Sequence, residues 1–141
     1  MRAVQVLIEA KDCAGAEKKL NTILKSVPKG DPLAARVQVY LAECLAVSGK
    51  LPQAVSLLEG MIALTTDKEL KAVAYNGLGD CYRLNGRPRD ALWPYLWVDV
   101  IYHQDREEHI KAMTQLAQLF KEQGDRLRAQ QYRDKLRKEN R

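Results

Sequence analysis

One spacing frame recurs along this chain and constrains its fold more than any single motif. The frame is a small residue, a large apolar residue three later, Gly seven later, Ala twelve later, and apolar residues at sixteen and nineteen. One copy reads Ala42, Leu45, Gly49, Ala54, Leu58 and Met61. The next reads Gly79, Tyr82, Gly86, Ala91, Tyr95 and Val98. A third reads Ala117, Phe120, Gly124, Ala129, Arg133 and Leu136, departing only at Arg133. A degraded copy opens the chain with Val4, Leu7, Lys11, Ala16, Leu20 and Ile23, Lys11 standing where the glycine would be. Starting residues 4, 42, 79 and 117 set periods of 38, 37 and 38. A fixed period of this size marks a repeat array, whose units bury their apolar faces against one another.

Each unit reads as two antiparallel helices. Apolar spacing is helical around Asn76–Leu84, and Gly86 ends that helix as a residue that tolerates a left-handed backbone. Pro88 and Pro52 open the following helices, where a missing N–H costs nothing, and Asp125 is the expected cap one repeat later. Thr66 with Glu69 and Asp105 with Glu108 fit capping boxes, and Asp31 precedes Pro32. Strand signals are absent, so the expected fold is all-α. Ala54, Ala91 and Ala129 mark close helix crossings, with Ala42, Gly79 and Ala117 as their small partners.

These residues resemble the tetratricopeptide repeat family. Tyr75, Leu78, Gly79 and Tyr82 match its bulky residue, Leu-Gly and Tyr pattern, and Ala91 with Tyr95 matches its Ala and aromatic pair. Its closing proline has a counterpart only in Pro28. The resemblance implies a right-handed superhelical solenoid of antiparallel helix pairs, as one domain over residues 1–141. The repeats fall at about 1–29, 30–66, 67–104 and 105–141. The family period is about 34 residues, and the surplus here is about one helical turn. It lies between the alanine of one unit and the small residue of the next, which predicts longer helices with little added loop.

The net charge of +5 is local. Seven basic residues between Arg126 and Arg141 face only Asp134 and Glu139, so the rest of the chain is formally neutral. That places the basicity at the end of the last helix, where it complements the helix dipole and gives the array a polar cap. The other end, Met1–Ala10, reads as a short apolar half-helix. No apolar run approaches the roughly 18 residues of a membrane span, and no secretory progression opens the sequence. Cys13, Cys44 and Cys81 match neither a disulfide framework nor a metal-ligand spacing. Buried thiols in a reducing, cytoplasmic setting are therefore expected.

Chemistry is sparse. The two histidines, His103 and His109, are six apart, off the spacing that puts two metal ligands on one helix face. No nucleophile elbow, phosphate-cradling loop or zinc-binding His pair occurs. No catalytic residue, metal or cofactor is expected, and function falls to surfaces.

In the resembled family the first helix of each pair lines a concave groove that holds a peptide or a partner helix. Here those positions are Arg36, Val39 and Glu43, then Asn76, Asp80 and Arg83, then Lys111, Thr114, Gln118 and Lys121. One subset of the family clamps a chaperone's terminal carboxylate. Its clamp places fall on Val39, Glu43, Gly77, Lys111 and Gln115, of which only Lys111 suits an anion. Separately, Trp93 and Trp97 lie four apart on one helical face, with Pro94 between them predicting a bend. Either the fourth repeat covers them near His109–Met113, or a second chain does, a homodimer included. The expectation is that at least one stays exposed and anchors a protein contact.

The function read from these features is a non-catalytic protein–protein interaction scaffold. The alternative is a helical-repeat nucleic-acid module using the basic terminus. Only Tyr132 supplies an aromatic beside that patch, and this disfavours nucleic acid as the partner.

Overall fold

A computed structural model of the chain describes residues 13–28 and 32–139. Among these, α1 (Cys13–Ser26), α2 (Pro32–Val47), α3 (Leu51–Leu64), α4 (Lys68–Leu84), α5 (Pro88–Val100), α6 (Arg106–Glu122) and α7 (Arg126–Glu139) follow one another without a strand. The proposed half-helix at Met1–Ala10, the repeat residues Val4, Leu7 and Lys11, and the Asp31 cap lie outside the described residues.

The helix ends follow from local chemistry. Gly49, Gly86 and Gly124 have φ of 80°, 69° and 80°, the left-handed corner that the repeat frame calls for. At each corner the next residue closes back on the helix. Lys50 N–H donates to Leu45 O at 2.8 Å, Arg87 to Tyr82 at 2.9 Å and Asp125 to Phe120 at 2.8 Å. Proline sits in the first turn of α3 and of α5. Asp105 Oδ1 accepts from Glu108 N–H at 3.1 Å, and Asp125 Oδ1 from Arg128 N–H at 3.1 Å. The cap of α4 corrects the sequence expectation by one residue. Asp67 fills it, not Thr66, because its carboxylate accepts from both Glu69 N–H (2.9 Å) and Leu70 N–H (3.4 Å). The surplus of the long period resides in helix: the connections are only 65–67 and 101–105, while α4 and α6 each run 17 residues. Helix α5 continues through the buried Pro94 as far as Val100.

Packing sorts the helices into two rows. The inner helices touch in sequence, α2 on α4 and α4 on α6, and each packs on its flanking outer helices. The backbones of the outer helices α1, α3, α5 and α7 stay apart, and α5 and α7 meet through side chains, Asp99 with Tyr132 and Lys135. Small residues allow this closeness. A Cβ on Gly77 would lie 3.0 Å from Val39 Cγ1, and one on Gly79 would overlap the ring of Tyr95. Tyr95, Ala54, Ala91, Ala42 and Ala129 are all buried, as the frame requires. Asn85 Nδ2 adds a tie between units, donating to Ala46 O at 2.8 Å. The result is an all-helical, repeat-like arrangement.

Candidate functional site

The inner row presents the residues expected to line a groove, and they divide into three groups. Arg36, Lys111, Thr114, Gln118 and Lys121 are exposed, and Glu43, Asp80 and Arg83 are half-buried. Val39 and Asn76 are not surface residues, which corrects their placement. Val39 fills the space over Gly77 where α2 meets α4. Asn76 is fully buried, its Nδ2 donating to Glu108 O at 3.0 Å across to α6, while its Oδ1 has no hydrogen-bond partner. Helical spacing told which side of the helix these residues occupy, not how closely the neighbouring helix approaches.

Between the exposed ends runs a polar ladder that crosses all three inner helices. Glu43 on α2 stands beside Asp80 on α4, its counterpart one repeat later. Asp80 accepts a hydrogen bond from the buried Tyr95 hydroxyl and pairs with Lys111 Nζ on α6 at 3.2 Å. Burial first, and then the negative Asp80, push the Glu43 carboxyl up from 4.5 to about 8. It therefore carries a proton at neutral pH and can donate. Burial works against the Lys111 charge, but Asp80, Glu108 and Glu43 outweigh it and hold the pKa above its usual value. Arg83 extends the ladder by bonding Gln115 and pairing with Glu122 Oε1 at 3.5 Å, which also accepts from Gln118 Nε2 at 3.0 Å. Such a face offers both donors and acceptors to a polar peptide.

The second surface is aromatic and lies on the outer row. Trp97 stacks on Tyr75 at 5.7 Å between ring centroids and 8° between planes. Tyr75 in turn stacks on Tyr102 at 5.4 Å, and Trp93 meets Tyr75 edge-on at 6.2 Å. Lys71 Nζ sits 5.6 Å from the Tyr102 ring centroid. Trp93 and Trp97 nonetheless keep 39% and 40% of their surface exposed, next along the chain to Val100 and Ile101, which are also exposed. Cover from the His109–Met113 segment is not what forms: the rings rest on Tyr75 of α4 and on Tyr102 after their own helix.

A third cluster escaped the sequence reading. Asp99, whose side chain is only 7% exposed, accepts from Tyr132 OH at 2.8 Å and contacts His109 Nε2 at 2.8 Å, with Lys135 Nζ at 3.7 Å. It ties α5 to α6 and α7. Burial, and then this bond, hold the Tyr132 phenol well above its ordinary range. His103 and His109 approach to 5.7 Å between rings because His103 lies in the connection, where helical spacing does not apply. Among the described residues no group of three side chains is placed to hold a metal ion.

Cys44 and Cys81 are both buried, and burial pushes the Cys81 thiol far up. On the basic helix α7, Arg128 pairs with Asp125 at 3.2 Å, Arg137 with Asp134 at 3.0 Å, and Glu139 receives Arg106 at 3.5 Å. No described helix is long and apolar enough to cross a membrane. Comparison with known proteins finds no match to a protein-family model, a curated protein or a solved structure.

Proposed function

We propose that the chain is a non-catalytic protein–protein interaction scaffold of tetratricopeptide type, a right-handed superhelical solenoid in the cytoplasm. It binds a partner protein or peptide along the inner row and through Trp93 and Trp97. The observation that carries this reading is the aromatic slab. Two indoles one helical turn apart are held on Tyr75 and Tyr102 and still expose about two-fifths of their surface. Rigid, part-exposed tryptophans are the side chains that most often anchor protein interfaces, because they bury a large area at little entropic cost. A second copy of the chain is one such partner. The polar ladder supports the same reading, since Arg36, Thr114, Gln118 and Lys121 leave polar atoms open beside it.

The basic helix supports a nucleic-acid reading less well. Three of its cations, Arg128, Lys135 and Arg137, are paired with Asp125, Asp99 and Asp134, where a phosphate backbone requires a continuous positive track. Trp93→Ala with Trp97→Ala tests the proposal. Association, followed by sedimentation across a concentration series and with added partner, is lost while helical content is kept. Unfolding of the double variant would instead make the indoles structural.

A further inference from the structure

The repeat supplies its own template for one surface left open. Thirty-seven residues before Tyr75, Trp93, Trp97 and Tyr102 stand Gln38, Ser56, Gly60 and Thr65. All four line a single cleft of about 840 Å³ between α1 and α3, with α2 behind it. One unit thus fills this region with three stacked rings and a fourth set edge-on, and among the described residues the preceding unit leaves it open. Among the described residues the cleft carries no charged side chain, and Leu64 at its edge is 91% exposed. A Cβ on Gly60 would meet nothing within 4 Å, so the α3 wall is unobstructed there.

From this we infer that the cleft between α1 and α3 docks a helix of a partner protein that presents two aromatic side chains one turn apart. Ser56 and Gly60 are themselves one turn apart, as Trp93 and Trp97 are in the filled unit, so the open region has the length of such a pair. The volume falls within the roughly 300–1,000 Å³ of ordinary ligand pockets. A small residue at Gly60 allows the incoming helix to approach closely, in the helix-in-groove mode. The described lining, which is uncharged, selects an apolar face, because a charged group placed there would lose its hydration without gaining a partner. This surface is separate from the inner row and from the tryptophan slab, and it stands or falls independently of both.

The probe is a fluorescein-labelled, alanine-rich helical peptide of about 18 residues, long enough to hold helix in water, with two tryptophans four apart. A control peptide of the same composition carries them two apart, on different faces. Anisotropy titration with the whole chain should give saturable binding that is at least tenfold weaker for the control. Gly60→Trp, which fills the cleft from within, should weaken binding at least tenfold. Gly60→Glu, which adds a charge at a wall where a Cβ meets nothing within 4 Å, should do the same, and circular dichroism checks that each variant is folded. Equal binding of the two peptides, or undiminished binding by a folded Gly60→Glu chain, overturns the proposal. So does self-association of the chain that Gly60→Trp abolishes, since a second copy would then be the occupant.

Discussion

The Glu43 carboxyl on α2 stands against the Asp80 carboxylate on α4, two equivalent positions of successive repeats brought together by close helix packing. Burial, and then the neighbouring Asp80 carboxylate, disfavour the Glu43 charge, so Glu43 keeps its proton up to about pH 8. Between about pH 4.5 and 8 the folded chain holds a proton that the unfolded chain has released. Stability from this group is therefore full below that window and gone once the pH passes 8.

Urea unfolding at pH 5.5, 7 and 9 checks this. The parent chain should lose stability on the order of 2 kcal/mol across the series, from about 1.4 kcal/mol per pH unit reduced by solvent access. Glu43→Gln, which keeps the hydrogen bond and cannot ionise, should flatten the dependence and be the more stable chain at pH 9. Parallel curves for the two proteins would contradict the assignment.

Glycines at two helical positions should respond oppositely to the same change. Gly79→Ala forces a methyl group into the Tyr95 ring and should cost about 1–3 kcal/mol. Gly60→Ala meets open space inside α3 and should stabilise by up to about 1 kcal/mol. Thermal denaturation of both variants at one pH measures the contrast.

The helix crossing at Ala91 has a similar test. Ala91 is fully buried against the neighbouring helices, and Ala91→Leu should overpack it at a cost of about 1–3 kcal/mol. Arg89→Ala, at an exposed position of the same helix, should change stability by under about 0.5 kcal/mol. Equal melting temperatures for Ala91→Leu and the parent would refute the repeat frame.

At Asp99, Tyr132→Phe removes one of two 2.8 Å contacts and should cost about 1 kcal/mol. Asp99→Ala strands both His109 and Tyr132 and should cost about 2–3 kcal/mol, with α7 losing amide-exchange protection first.

What the repeat frame made legible is what depends on spacing along one chain: the glycine corners at 49, 86 and 124, the buried alanines and the all-helical fold. What it did not reveal depends on distance between helices. Asp99 interrupts an apolar run in sequence, and only the arrival of α6 and α7 makes it a shared acceptor. Val39 and Asn76 share the inner side with Glu43 and Asp80, yet the closeness permitted by Gly77 and the bond to Glu108 enclose them. For the indoles the spacing left open whether the following helix covers them, and it did not reveal that Tyr75, partly buried beside two core clusters, supports both, flat under Trp97 and edge-on to Trp93.

Site-specific photo-crosslinking tests the interaction-scaffold reading most directly. Benzoylphenylalanine replaces Trp97, Gln118 or Lys138 in turn, and the folded chains are irradiated in an extract of the cells that express them, without and with nuclease. The account predicts discrete adducts of protein mass from positions 97 and 118 and none from 138. Adducts from position 138 alone that vanish on nuclease treatment, with nothing from 97 or 118, would contradict it.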